Sequence, residues 1–208
     1  MFSAVIFTAG RTGSHLIRKN LSKYFNSDQV IQTHNPLLEL LTKDTIPIIS
    51  RRRNIFDAII SMIVASRIDK FHWTESEAKK INVDPFRINV VDFENSFVFQ
   101  TAFYRAIDAR KFTNSIEIFY EDMLNDSTHL FSKFGCSCNT ENLLIKSPYE
   151  SNSLITNIDQ LQDLYNQLNT NGISDDVYEN FITNVKDDLL DITENHNGNR
   201  YQDKIFKK

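Results

Sequence analysis

The opening stretch MFSAVIFTAGRTGS constrains this chain more than any other segment. Ser3 to Thr8 is a short apolar run that ends in Ala9-Gly10-Arg11-Thr12-Gly13, and a helical pattern follows from Ser14 to about Phe25. A run without polar alternation predicts a strand buried on both faces, as in a parallel sheet covered by helices. The turn between strand and helix directs backbone N–H groups and a helix N-terminus at whatever lies above the strand end, an arrangement suited to phosphate. Gly13 allows close backbone approach, Arg11 supplies charge, and Thr12, Ser14 and His15 add side-chain donors. The G-x-x-x-x-G-K-[ST] spacing of a nucleoside triphosphatase is absent, and the bland alternative is a tight turn into a capped helix.

Further strands are expected at Val30–Thr33, Ile46–Ser50 and Ser115–Phe119. Between them lie helical patterns at Asn54–Arg67, apolar nearly all round, and at Asp92–Arg110. Ser127 is placed to cap a short helix through Phe134 that Gly135 ends. Lys70–Val90 reads as loop-rich. After Asn139 the chain turns rich in Asn, Asp and Ser, with helices near Ile158–Leu168 and Asp175–Leu190. Strands alternating with helices predict an α/β three-layer sandwich, a short central parallel sheet flanked by helices. With 208 residues the expectation is one domain, residues 1–135 forming a nucleotide-binding core and 136–208 a helical C-terminal part.

A formal net charge of -4 provides no global basic field to draw the chain to nucleic acid or anionic lipid. No apolar stretch has the length of a membrane span, and the N-terminus lacks the pattern of a secretory signal. The two cysteines, Cys136 and Cys138, sit too close for a usual structural bridge, and the five histidines are scattered rather than spaced for zinc. These features predict reduced thiols, a cytoplasmic setting and no metal site.

A second basic site follows another apolar strand. Arg51-Arg52-Arg53 precede a helix carrying Ser61, eight positions after Arg53. Charge runs are usually solvated faces, but this one stands at a strand's C-terminal end, where open α/β sheets bind ligands. Arg53 and Ser61 are spaced to grip one phosphate. Two such devices on one sheet edge imply a ligand with two separated phosphate groups.

Together these residues resemble the sulfotransferases that use 3′-phosphoadenosine 5′-phosphosulfate (PAPS). Gly10-Arg11-Thr12-Gly13-Ser14-His15 is similar to their phosphate loop, and Arg53-Asn54-Ile55-Phe56-Asp57-Ala58-Ile59-Ile60-Ser61 to their Arg-Asn-Pro-x-Asp-x-x-x-Ser motif, with Ile55 replacing the proline. Thr33-His34-Asn35-Pro36-Leu37 is similar to a Thr-His-Leu-Pro segment, and Phe119-Tyr120-Glu121-Asp122-Met123 to a Tyr-Glu-Asp-Met segment. No Arg-Lys-Gly…Gly segment is evident near the C-terminus, where Gly198-Asn199-Arg200 is a faint echo.

The resemblance implies a P-loop-like fold and metal-free transfer of a sulfuryl group from PAPS, leaving 3′-phosphoadenosine 5′-phosphate (PAP). It implies Arg11 as stabiliser of the leaving group, and Thr12, Gly13, Ser14 and His15 around the 5′-phosphate. Arg53 and Ser61 would hold the 3′-phosphate, with Tyr120 near adenine. His34 would be the base, with Glu39 or Asp57 as fallback. The acceptor would be a small-molecule, carbohydrate or peptide hydroxyl, or an amine. Two other readings stay open: a P-loop nucleotide kinase or hydrolase, and a non-catalytic nucleotide-binding protein that kept the fold.

Overall fold

The first strand, β1 (Ser3–Thr8), sends alternate side chains to two different cores. Val5 and Phe7, with Ala9 beyond the strand, pack with aromatic residues of two later helices. Ala4 and Ile6 pack with Leu16, Ile17 and Leu21 of α1 (Ser14–Leu21). The computed structural model describes residues 3–22, 29–39, 44–68, 83–125, 132 and 151–192. The predicted extension of α1 to Phe25, the helix from Ser127 to Phe134 apart from Ser132, Cys136, Cys138 and the Gly198–Arg200 echo lie outside the described residues.

Next come β2 (Val30–Thr33), β3 (Thr45–Arg51), α2 (Ile55–Arg67), α3 (Val90–Ala109) and β4 (Ile116–Phe119). They are followed by α4 (Tyr120–Asn125), a 3-10 turn (Ser151–Leu154), α5 (Ile158–Asn171) and α6 (Asp175–Ile192). Asn54 caps α2, its side chain accepting from the Asp57 amide at 3.1 Å, and Asn89 caps α3 through the Val91 amide at 3.0 Å. α3 therefore starts two residues before the predicted Asp92. The short helix α4 was not expected: it begins on the residue after β4.

The protein is α/β, with a four-stranded, all-parallel sheet in the order β2-β1-β3-β4. α1 and α4 cover one face through Leu16, Ile17 and Met123, and α3 and α6 the other through Phe99, Phe103, Phe181 and Ile182. Helices on both faces are compatible with a three-layer sandwich. A third core lies beside the sheet, where Phe56 and Ile60 of α2 meet Phe93 and Phe97 of α3 and Leu161 of α5. Tyr165 caps that cluster, its ring centroid 5.6 Å from Phe56 and 6.0 Å from Phe97. Burying a side chain such as Phe93 or Phe7 contributes about 2–3 kcal/mol, so these cores join the C-terminal helices to the sheet.

The 83–89 segment is irregular and is stitched to the stretch just before α5. The Asn157 amide donates to the Ile88 carbonyl and its Oδ1 accepts from the Ile88 N–H, both at 3.1 Å. Phe86 bridges Ile155 in parallel fashion. Among the described residues no helix is long and apolar enough to cross a membrane.

Strand register decides what meets at the C-terminal edge. Thr8 lies opposite Ser50, Phe7 opposite Thr33, and Arg51 opposite Phe119. The loops after β1, β2 and β3 therefore emerge side by side. The chain leaves β1 for β2 on one flank and β3 for β4 on the other, so the β1–β3 seam is the kind of switch point at which open α/β sheets bind ligands.

Candidate functional site

The loop after β1 is built from left-handed backbone. Gly10 has φ 96°, Arg11 φ 55° and Gly13 φ 74°. Glycine adopts such angles freely, whereas for Arg11 the conformation costs on the order of 1–3 kcal/mol and must be held by its surroundings. Gly13 is needed for a second reason: a Cβ there would run into Met123 and lie 2.9 Å from Tyr120 Cδ2. α4 thus presses directly on the start of α1.

A buried set of hydroxyls holds the loop. Thr8 Oγ1 is 2.7 Å from Thr12 Oγ1 and accepts from the Gly10 amide at 3.0 Å. Ser50 Oγ donates to the Thr12 carbonyl at 2.9 Å and lies 2.8 Å from Thr12 Oγ1. Thr12 is buried, and its hydroxyl turns inward to Thr8 and Ser50, so the sequence-predicted side-chain donor is a fastener of the loop. Behind it, Gln100 Nε2 donates to the Ala9 carbonyl at 3.2 Å, and Tyr104 donates to the Ser50 carbonyl at 2.7 Å while accepting from the Ala9 amide at 3.5 Å. Burial pushes the Tyr104 phenol pKa well up, so it stays a neutral donor.

At α1, Gly13 occupies the N-cap position with no side-chain cap, and the first turn has no acidic residue. The amides of a first turn lack intrahelical partners, and a helix start without a carboxylate nearby favours an external anion. Ser14 is buried at this point, whereas His15 is exposed, its pKa lowered by partial burial and by Arg18 and Lys19.

Arg11 and Ser61 are brought together: Arg11 Nε donates to Ser61 Oγ at 3.0 Å. The loop after β1 and the middle of α2 therefore meet above the β1–β3 seam. His34, just past β2, also joins this edge. Its Nδ1 is 2.7 Å from the Thr8 carbonyl, which can only accept, so Nδ1 carries the proton and Nε2 keeps its lone pair. Burial lowers the His34 pKa against the opposing effect of that hydrogen bond, favouring the neutral ring.

The loop carrying His34 is secured from two sides. Asn35 Oδ1 accepts from the Leu37 amide at 2.7 Å, which fixes the orientation of the amide and leaves buried Nδ2 without a hydrogen-bond partner among the described residues. Arg110 donates to the Pro36 and Leu38 carbonyls at 2.7 and 2.8 Å and lies over the Phe112 ring. An unsatisfied buried donor beside a histidine is a feature that native cores rarely leave without use.

The arginine run divides by strand alternation. Arg51 turns toward α3, over the Tyr104 ring, with Asp108 and Glu117 as carboxylate partners. Arg52 turns toward α4, over Tyr120, 3.5 Å from Glu121. Arg53 lies over Phe119 and forms a two-pronged pair with Asp122, at 2.8 and 3.0 Å. Thus Arg53 and Ser61 do not contact each other by any described hydrogen bond: Arg53 pairs with Asp122 and Ser61 with Arg11. Glu121 accepts the Arg53 amide at 3.0 Å. Burial pushes its carboxyl up, but the Arg53 and Asn54 amides and the Arg52 charge outweigh this and hold its pKa below the usual range.

Of the fallback bases, Asp57 is engaged with Asn54 Nδ2 at 2.8 Å and Asn152 Nδ2 at 3.1 Å, binding the start of α2 to the 3-10 turn. Glu39 is exposed beyond the His34 loop. Sequence reading missed Ser50, Gln100, Tyr104, Glu121 and Asp122. Only the last two had a signal, lying in the Phe119–Met123 segment. Among the described residues no group of three or more His, Cys, Asp or Glu side chains is placed to hold a metal. Comparison of the chain with protein-family models, with curated proteins and with solved structures gave no match.

Proposed function

We propose that this protein is a sulfotransferase, moving a sulfuryl group from PAPS to a hydroxyl or amine acceptor on a P-loop-like scaffold. The observation that carries this reading is the 3.0 Å bond between Arg11 and Ser61, which unites the two motif segments at one point of the sheet edge. The residues present fit the nucleotide: an α1 start with no side-chain cap and no acidic residue in its first turn, a run of left-handed backbone and a guanidinium form one anion cradle.

PAPS, when bound, supplies an activated sulfuryl group whose departure leaves charge on a 5′-phosphate oxygen. Arg11 and the Thr12, Gly13 and Ser14 amides are the chain's means of neutralising charge there, and positioning them beforehand is how such sites lower a barrier. His34 Nε2 accepts the acceptor's proton, because Nδ1 is committed to the Thr8 carbonyl and burial keeps the ring neutral. Arg53 is the 3′-phosphate residue in this reading, exchanging Asp122 for the ligand. Tyr120, held beneath Arg52 and against Gly13, is the adenine-side ring. The Asn35 amide, an unspent donor next to His34, suits an oxygen of the acceptor.

Thermal unfolding with nucleotides in EDTA tests the proposal. PAP is expected to raise the melting temperature by several degrees at a hundredfold excess over its Kd. Equal stabilisation by AMP refutes the bisphosphate assignment, and stabilisation only by ATP in a parallel series with magnesium in place of EDTA transfers the case to a kinase or hydrolase. Turnover is then read by mass spectrometry of mixed acceptors incubated with PAPS.

A further inference from the structure

We infer that Gln100 and Tyr104 of α3 are positioning residues that hold the loop after β1 in its anion-binding shape before any ligand arrives; this rests on the reading proposed above. The two side chains are one helical turn apart and grip both polar groups of a single peptide residue. Gln100 donates to the Ala9 carbonyl at 3.2 Å, and Tyr104 accepts the Ala9 amide at 3.5 Å. Tyr104 also donates to the Ser50 carbonyl at 2.7 Å, so it spans the β1–β3 seam. Ser50 in turn fastens Thr12, on the far side of Gly10 and Arg11.

The path runs from α3 through Ala9 and Ser50 to Thr12. It brackets the left-handed residues Gly10 and Arg11 from both ends. Every member is buried, and the neighbours Phe99, Phe103 and Ile107 on the same helix are apolar. A core built for stability alone is served as well by apolar side chains at these positions, because buried polar groups must all be matched to avoid a penalty. Here the Gln100 Nε2 and the Tyr104 hydroxyl are spent on the loop and the strand end that feeds it. The effect on binding is that the cradle is already in place, so no ordering cost is charged to the ligand.

The test compares PAP with adenosine 3′-phosphate, which lacks the group the loop would hold. Tyr104→Phe keeps the ring and removes the hydroxyl; Gln100→Met keeps the volume and removes the amide, and serves if the first variant does not fold. Calorimetric titration is expected to show PAP affinity reduced about tenfold, the equivalent of one lost hydrogen bond, with adenosine 3′-phosphate changed less than about twofold. Equal weakening of both nucleotides makes the two residues general stabilisers and overturns the inference, as does unchanged PAP affinity. Wild-type protein that binds neither nucleotide sinks the functional proposal itself, and the inference with it.

Discussion

Asp122 takes both terminal nitrogens of Arg53, at 2.8 and 3.0 Å, while the guanidinium lies 4.2 Å from the centroid of Phe119. Under the proposed function the aspartate occupies the edge that the 3′-phosphate takes, and the pair is solvent-exposed, so exchanging one partner for another costs little. Asp122→Asn leaves the ring contact intact and frees the charge. It is expected to raise PAP affinity about two- to fivefold, with AMP affinity unchanged, measured by titration at fixed ionic strength. A drop in PAP affinity instead assigns Asp122 an ordering role.

Gly13→Ala tests the contact between α4 and the start of α1. The substitution places a Cβ against Met123 and Tyr120 at a residue with φ 74°. Strain and overpacking together are expected to lower unfolding free energy by about 1–3 kcal/mol. Urea denaturation checks this, and a neutral result means that Tyr120 swings away without penalty.

His34 gives three predictions, two on rate and one on stability. His34→Gln is expected to lower turnover about a hundredfold or more while PAP affinity holds, since the ring contacts the Thr8 carbonyl rather than the cradle. Under the proposed function the neutral ring is the active form in the wild type, and the ring's pKa lies below the usual 6.5. The acid limb of the rate profile therefore falls below 6.5. The same shift has a stability sign: the unfolded chain binds the proton more readily, so this contribution is complete above 6.5 and declines as pH falls toward the folded value. Loss of stability on raising the pH through neutrality contradicts the buried neutral ring.

Asn157→Asp examines how the C-terminal helices are attached. The native amide donates to the Ile88 carbonyl and the native Oδ1 receives the Ile88 N–H. A carboxylate keeps the second bond and sets a lone pair against the carbonyl, in a buried place. The expected loss is about 2–4 kcal/mol, read from chemical denaturation. A change within a few tenths shows that the 83–89 segment contributes nothing to global stability.

The frame of the molecule was legible where single segments declare themselves. β1 and its turn are readable because apolar residues on both faces and two glycines leave few alternatives, and β3 and α2 for similar reasons. α4 was not, since Tyr120–Asn125 is short and acidic and becomes helical against Gly13. Segment order in the candidate site was readable; side-chain partnership was not. Arg53 meets Asp122 only because the register of β3 on β4 sets Arg51 against Phe119. Gln100 and Tyr104 lie in a helix that is buried around most of its circumference, where two polar positions among phenylalanines and alanines carry no period of their own.

The central pairing of β1 with β3 also bears on how the chain comes apart. β2 is bonded to the sheet through β1 alone and β4 through β3 alone, so everything hinges on one join between segments some forty residues apart. Arg11 and Ser61 clasp the two halves just above it. A molecule lodged there acts as a rivet through the one seam that both flanks share, and its presence will be felt as greater resistance to global unfolding, far beyond the few side chains it touches.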